Sequence, residues 1–284
     1  MVKIISDSTC DLSVELLKQY DIDIIPLHIH LGDKEYKDGV DITPDEIYAW
    51  SDQNKTTPKT SAISITEAME AFQVYTEQQK EIICFSISNE MSATGAVMCM
   101  AAQELEKEDT IHVINSANLS TGVGLLVLEA AVMAKEGKSA TEIVERIEAL
   151  KEKVRASFVV DTLTYLHRGG RCSSVEALAG GVLKMHPRIA VENGKMGAGK
   201  KYRGKMPAAV IMSYVKDMEE DLKQAKKDRV FITHSGCDAE IIEMVRKYLE
   251  ELHVFEEIYV TRAGSVISSH CGPGTLGVLF IAQD

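Results

Sequence analysis

The sequence predicts an α/β protein made of two lobes. In the first half of the chain, short runs rich in Ile and Val alternate with helical patterns, which is typical of a parallel sheet with helices on both faces. These runs are residues 2–6, 22–29, 82–87 and 111–115. Beyond about residue 155 the order of strands and helices changes. We therefore predict an N-terminal α/β/α lobe over residues 1–155 and a C-terminal α+β lobe over residues 156–284.

The helices of the first lobe have recognisable starting residues. Asp11 is a candidate cap for the first helix, and Thr43-Pro44-Asp45-Glu46 is a capping box with proline at the first helical position. Thr66 opens another helix, and Ser120 precedes a long apolar helix that ends at Gly137. Further helices are predicted over residues 141–153, 163–168, 173–184, 207–226 and 239–252. Further strands are predicted over residues 158–161, 187–192, 229–233, 257–261 and 277–281.

Composition and charge exclude several classes of protein. The chain carries 31 Lys and Arg residues against 43 Asp and Glu residues, a net charge of −12, so it is not expected to coat nucleic acid through phosphate contacts. Its longest apolar run, residues 122–134, is interrupted by Glu129 and is shorter than the roughly 18 residues of a membrane span. The N-terminus lacks the apolar core of a signal peptide, and the cysteines form no Cys-x-x-Cys pair. We expect a soluble cytoplasmic protein with reduced thiols.

Loops rich in Ser and Thr follow or adjoin the predicted strands of the first lobe. They cover residues 6–9, 56–61, 86–95 and 115–122. Because the carboxyl ends of parallel strands border one crevice, and helix N-termini there present free N–H groups, this edge suits a small anion. The alternative is that each Ser or Thr only caps a helix. Neither a phosphate-binding glycine loop nor a Gly-x-Ser-x-Gly motif occurs in the sequence.

The second lobe adds a histidine and a group of cations. His270 stands just before Gly272-Pro273-Gly274, where it would donate a hydrogen bond to an anion; the alternative is a loop histidine bonded to backbone. Arg168-Gly169-Gly170-Arg171 suits a phosphate or an acidic partner, although such a run can also be a solvated face. The clustered cations are Arg168, Arg171, Lys200, Lys201, Arg203 and Lys205.

Other candidate sites are weaker. His28 and His30 share one face of a predicted strand, but without a third ligand we expect no metal site. Cys172 and Cys271 stand beside an arginine and a histidine, which can activate a thiol, yet no further group completes a nucleophilic site. Several methionines suit the core, and their flexibility would also suit a cavity for a bent apolar chain. They are Met91, Met98, Met100, Met185 and Met196.

Six segments across both lobes form a specific ordered set. They are Ser6-Asp7-Ser8-Thr9, Tyr36-Lys37-Asp38-Gly39-Val40-Asp41-Ile42, Pro58-Lys59-Thr60-Ser61, Met91-Ser92-Ala93-Thr94-Gly95, Gly169-Gly170-Arg171 and His270-Cys271-Gly272-Pro273-Gly274. This set resembles the DegV family of bacterial fatty-acid-binding proteins over essentially the whole chain. The chain departs from the family pattern at Ile63, where a proline is usual, at Asn115, where an aspartate is usual, and at Cys172, where an aliphatic residue is commoner.

The resemblance implies a ligand and its binding residues. It implies an N-terminal α/β/α lobe beside an α+β lobe, with a long-chain fatty acid buried between them. Thr60, Ser61, Ser92 and His270 would bind the fatty-acid carboxylate. The resemblance implies no catalytic residue, no metal and no cofactor besides the bound fatty acid.

The resemblance also implies a partner. The protein would be the fatty-acid-carrying subunit of a fatty acid kinase system, presenting the carboxyl group to a separate ATP-dependent kinase. The acyl phosphate would then enter phospholipid synthesis. Arg171 and Arg203 would lie on the kinase-facing, phosphate-proximal surface, and transient contact with a membrane surface is compatible with this role.

Two other function classes compete with a carrier. A self-sufficient phosphotransferase or hydrolase would use His270 as base and Ser92 as nucleophile, but it would need a nucleotide cradle, a metal site or a third triad member. A regulatory or structural α/β protein would leave the crevice empty. An acyl chain of about 15 methylenes supplies roughly 12 kcal/mol of gross transfer free energy, so a carrier with a polar end to its pocket is the function we expect.

Overall fold

The computed structural model describes residues 2–172, 185–204 and 207–283. The strands are β1 (Lys3–Asp7), β2 (Ile22–Ile25), β3 (His28–Leu31), β4 (Lys34–Lys37), β5 (Lys59–Ser61), β6 (Ile82–Ser86), β7 (Ile111–Asn115), β8 (Val154–Val159), β9 (Met185–Glu192), β10 (Lys195–Arg203), β11 (Arg229–His234), β12 (Glu257–Arg262) and β13 (Leu276–Ile281). The helices are α1 (Val14–Tyr20), α2 (Pro44–Asn54), α3 (Ile65–Thr76), α4 (Thr94–Glu104), α5 (Thr121–Lys135), α6 (Ala140–Lys151), α7 (Thr164–Gly169), α8 (Pro207–Asp217), α9 (Glu219–Lys223), α10 (Ala239–Glu251) and α11 (Ser265–Cys271). Within the described ranges, no helix is both long and apolar enough to cross a membrane.

The strands form three sheets. A parallel four-stranded sheet has the order β2-β1-β6-β7. A six-stranded sheet has the order β10-β9-β8-β13-β11-β12, in which β11 and β12 pair in parallel and the other neighbours antiparallel. A small antiparallel sheet has the order β4-β3-β5. The predicted α/β fold class with a parallel N-terminal sheet is confirmed, whereas the lobe boundary at residue 155 stays a prediction.

Helix α5 belongs to the core of both larger sheets. Residues 121–128 of this helix are all buried. Val123 and residues 125–128 share one hydrophobic cluster with Ile4 of the parallel sheet and Phe231 of the six-stranded sheet. Gly124 lets the helix approach the turn after β1 closely, because a Cβ atom there would lie 2.7 Å from the Cys10 carbonyl oxygen. A helix that is apolar all round requires burial on all sides, so α5 fixes the position of one sheet against the other.

Two of the predicted helix starts are wrong. Asp11 does not cap α1: its backbone is left-handed, with φ 50°, and the side chain of Ser13 caps the helix instead. Helix α3 begins after Ser64, which forms a capping box with Glu67, so Thr66 lies inside the helix. Because Ser, Thr and Asp stand close together before each helix, residue type alone did not identify the cap.

Two predicted elements are divided in the structure. Residues 22–29 form β2 and β3, which belong to different sheets, because Pro26 between them has no N–H to donate to a ladder. Residues 207–226 form α8 and α9, since the backbone at Met218 leaves the helical region with φ −96° and ψ 3°. The predicted helix over residues 173–184 lies outside the described residues.

Candidate functional site

A cavity of about 230 Å³ lies where loops after three parallel strands meet β5, β10 and α11. Its polar and cationic lining consists of Thr60, Ser61, Ser92, His270 and Arg171. Most of its apolar lining consists of Leu27, Ile87, Met91, Leu119, Met196 and Ile267. All four residues expected to bind a carboxylate therefore surround one cavity, while their role stays a prediction.

His270 is a half-buried member of this lining, and its Nδ1 atom is fully buried. It lies in α11, not in a loop as the neighbouring glycines suggested. Its Nε2 atom is 2.8 Å from Thr60 Oγ1, and its Nδ1 atom has no hydrogen-bond partner among the described residues. Nδ1 faces Gly169 so closely that a Cβ atom there would lie 2.4 Å away. A proton on Nδ1 would be buried without an acceptor, so we assign the proton to Nε2, which donates to Thr60.

The electrostatics of the cavity keep this imidazole neutral. Burial, with a smaller contribution from the charge of Arg171, lowers the pKa of His270 to about 4. A neutral His270 that donates from Nε2 occupies an acceptor site of the Thr60 oxygen. The hydroxyl hydrogen of Thr60 then remains available to donate to a ligand.

The other two hydroxyl groups are each held by a neighbour. Ser61 Oγ lies 2.9 Å from His30 Nε2. Ser92 Oγ lies 2.8 Å from Thr94 Oγ1 and accepts the Thr94 N–H at 3.3 Å. Because a hydroxyl has one donor and two acceptor positions, these contacts orient Ser61 and Ser92 without using their full hydrogen-bonding capacity.

The two predicted surface arginines occupy different positions. Arg171 is exposed and lines the cavity itself, with Nη1 donating to the Gly169 carbonyl oxygen at 2.6 Å. Arg203 is exposed at the end of β10. Among the described residues that line the cavity, none is Asp or Glu. The described part of the lining thus offers an anion one cation and several neutral donors, although the chain as a whole is acidic.

The apolar part of the cavity adjoins a second, smaller cavity. A second cavity of about 20 Å³ shares Leu119, Ile267 and Cys271 with the first. Phe158 and Leu279 of the six-stranded sheet line its other side. Leu119, Ile267 and Cys271 therefore lie between the two cavities, and we call these three residues the neck.

Comparison with known proteins identifies the family of this fold and cavity. The family model described as an uncharacterised protein of the DegV family matches residues 1–283. The chain belongs to the DegV family. The resemblance found in the sequence is thereby confirmed.

Individual DegV relatives are similar over their whole length. A DegV domain-containing protein of Caldanaerobacter subterraneus subsp. tengcongensis is 33% identical over 280 residues, covering 98% of each chain. A DegV family protein of Thermus thermophilus, whose structure is described as showing fatty acid binding, is 29% identical with a TM-score of 0.89 and 99% coverage of both chains. A stearic acid-binding protein of Eubacterium ventriosum is 32% identical with a TM-score of 0.87, covering 100% of this chain and 99% of its own.

Three buried carboxylates, whose hydrogen bonds reach the loops around the cavity, were not identified from the sequence. Burial raises the pKa of Asp7 to about 6 and raises the pKa values of Asp11 and Asp38 above their ordinary range. All three side chains accept hydrogen bonds from N–H and O–H groups. The available signal was their position, because Asp7 and Asp38 stand inside two of the segments that mark the family.

The residues of two competing hypotheses, a metal site at His28 and a hydrolase site at His270 and Ser92, make other contacts in the structure. His28 is held by carboxylates, with Nδ1 2.9 Å from Glu35 and Nε2 2.9 Å from Glu67, and no group of three metal-binding side chains suited to an ion occurs in the described residues. His270 Nε2 contacts Thr60, whereas Ser92 Oγ contacts Thr94. His270 and Ser92 therefore do not form the base–nucleophile hydrogen bond that the hydrolase hypothesis requires.

We expect the neutral state of His270 to be visible in the pH dependence of stability. A folded-state pKa of about 4 against roughly 6.5 in the unfolded chain means that the unfolded state takes up a proton first as pH falls. Between pH 7.5 and pH 5.5 the wild type should therefore lose about 1 kcal/mol of unfolding free energy relative to His270→Gln. Urea denaturation of both proteins at both pH values measures this difference, and a pH-independent difference would contradict the assignment.

Proposed function

We propose that this protein binds a long-chain fatty acid, with the carboxylate at Thr60, Ser61, Ser92 and His270 and the acyl chain between the two lobes. The observation that carries this proposal is the composition of a single cavity. Its polar lining offers hydroxyl and guanidinium donors, with the His270 imidazole bound to the Thr60 hydroxyl, and its apolar lining includes the neck residues. Relatives described as fatty acid-binding and stearic acid-binding proteins support the same ligand.

Acyl burial and carboxylate binding would contribute differently to affinity. Each buried methylene adds about 0.8 kcal/mol, so the tail supplies most of the gross binding free energy. Hydrogen bonds to a charged group add about 1.5–3 kcal/mol each before desolvation. A buried carboxylate must be hydrogen-bonded to avoid a large cost, so the polar lining selects a carboxylic acid among molecules with similar tails.

The path of the tail would depend on adjustable side chains. Met91 and Met196 line the cavity and are both buried. Methionine has three rotatable bonds and fills irregular space at low cost. We propose that these two side chains adapt to the acyl chain before it passes the neck.

We further propose that the bound acid is presented in the cytoplasm to a separate ATP-dependent fatty acid kinase, so that an acyl phosphate is made for phospholipid synthesis. Arg171 supports this proposal because it is exposed and also lines the cavity. Its guanidinium suits the charge that develops when a carboxylate becomes an acyl phosphate. Arg203 would extend the same partner-facing surface, and transient contact with a membrane surface would serve product delivery.

The fatty-acid proposal predicts a ligand that copurifies. An organic extract of the purified protein, analysed by denaturing mass spectrometry, should contain near-stoichiometric long-chain fatty acid. A second sample is stripped of lipid and incubated with oleate or palmitate before the same analysis. A blank in both samples would reject fatty-acid binding and return attention to the enzyme hypothesis.

Removing one hydroxyl donor should weaken binding without removing the pocket. Thr60→Val keeps the side-chain shape but loses the donor to the carboxylate, so affinity for palmitate should fall about tenfold to 100-fold. Displacement of a fluorescent fatty acid measures this loss. Thr110→Val is a matched control, because Thr110 is also half-buried and lies outside the cavity. Equal affinity of Thr60→Val and wild type would exclude Thr60 from the carboxylate site.

Arg171 should affect phosphorylation more than binding. Because its charge is exposed and screened by solvent, Arg171→Ala should leave fatty-acid retention within about twofold of wild type. The rate of acyl phosphate formation with a fatty acid kinase should fall at least about tenfold, since a developing phosphate charge loses a guanidinium partner. Arg246→Ala is the control, because Arg246 is a partly exposed arginine on α10 that does not line the cavity. Equal loss of binding and phosphorylation would show instead that Arg171 contributes to fatty-acid binding.

A further inference from the structure

Two aspartates from the N-terminal lobe accept hydrogen bonds from the N–H groups at the start of helix α11, which carries His270. The Gly264 N–H donates to Asp11 Oδ1 at 2.8 Å, across 253 residues of sequence. The Ser265 N–H donates to Asp38 Oδ1 at 2.7 Å, across 227 residues. Gly264 stands at the cap position and supplies no side chain, so these two carboxylates satisfy N–H groups that a local cap would otherwise bind.

The second oxygen of each carboxylate reaches a different loop of the N-terminal lobe. Asp11 Oδ2 accepts the Ser120 hydroxyl at 2.5 Å. Asp38 Oδ2 accepts the Ser8 hydroxyl at 2.8 Å, and Ser8 Oγ in turn accepts the Leu27 N–H at 3.1 Å. Each aspartate therefore links the start of α11 to a loop that borders the cavity or the neck.

The backbone around Asp11 is specialised for this contact. Asp11 and Ser120 have φ values of 50° and 52°, both in the left-handed region, which is uncommon for residues other than glycine. Their side chains bind each other, and Asp11 also binds Gly264. Strained conformations of this kind persist where the surrounding structure holds them and cluster at functional sites.

The position of α11 determines the geometry of the polar lining. His270 lies five residues beyond Ser265 in a helix of seven residues, about 8 Å along the axis, and its Nε2 contacts Thr60. A shift at the start of so short a helix is passed to His270 directly. We propose that Asp11 and Asp38 are positioning residues, which hold α11 so that His270 orients the Thr60 hydroxyl toward the ligand carboxylate. This inference rests on the proposed fatty-acid function.

A double-mutant cycle tests whether Asp38 acts through His270. Asp38→Ala should weaken palmitate binding at least tenfold in the wild-type background. In the His270→Ala background the same substitution should cost at least fivefold less, because the residue to be positioned is absent. Asp38→Asn should recover most of the affinity, since its amide oxygen can still accept the Ser265 N–H. Asp11→Ala and Asp11→Asn are expected to follow the same pattern at Gly264.

Asp7 provides the matched control. It is a buried aspartate of the same cluster, but it accepts hydrogen bonds from Thr9 and from the Ile87 N–H. Within the described residues it forms no hydrogen bond to α11. Asp7→Ala should therefore affect binding equally with and without His270. If Asp38→Ala is as additive with His270→Ala as this control is, the positioning role is overturned.

A measurement without ligand keeps the test independent of the proposed function and of misfolding. The ¹⁵N chemical shifts of the His270 imidazole should report a protonated Nε2 in the wild type and should change in Asp38→Ala, with partial return in Asp38→Asn. Unchanged His270 shifts in both variants would overturn the positioning role, even if one variant bound no lipid. Absence of palmitate binding by the wild type would reject the fatty-acid function, while the imidazole shifts would still decide the positioning role.

Discussion

Hydrogen bonds from N–H and O–H groups to three buried aspartates hold together the loops that form the cavity. A buried carboxylate is costly unless its oxygens are satisfied, so Asp7, Asp11 and Asp38 require the loops after β1, β6 and β7 and the start of α11 to converge. Burial and the proximity of the aspartates to one another raise the pKa of Asp7 to about 6. An anion placed nearby would be repelled by these groups if they were ionised. The lining of neutral hydroxyls with Arg171 at one side offsets that repulsion.

A carrier benefits from neutral donors. Hydrogen bonds from charged donors are roughly twice as strong as those between neutral groups, so a protonated histidine would hold a carboxylate tightly. The environment of His270 lowers its pKa to about 4, so a neutral imidazole donates to Thr60 and leaves the Thr60 hydroxyl as a neutral donor. Such a polar lining can distinguish a carboxylic acid from other lipid ends and still release it. Under the proposed function, affinity would come chiefly from the tail, whose contribution would not change if the head group were modified.

Much of the fold was predictable from the sequence, whereas the long-range hydrogen bonds that hold the residues around the site were not. Alternating apolar runs predict the parallel sheet, and the loops after its strands predict a polar crevice at one edge. The assignment of Thr60, Ser61, Ser92 and His270 came from resemblance to a family and did not follow from spacing. Asp11 was predicted to cap the helix next to it, but its structural partner is the Gly264 N–H, 253 residues away. Local patterns carry no information on pairings of that range, and they gave no sign that the residues around His270 form a helix.

The arrangement of the core explains why adaptation to a ligand falls to side chains. Helix α5 joins both larger sheets in one hydrophobic cluster, so the walls that these sheets supply are held at a fixed separation. The main cavity of about 230 Å³ is below the roughly 300–1,000 Å³ typical of ligand pockets, and the second cavity, of about 20 Å³, is smaller still. Close-packed interiors resist sheet movement more than rotamer changes. Under the proposed function, room for an acyl chain would therefore come from Met91, Met196 and the neck residues, while α11 would keep the polar lining in place.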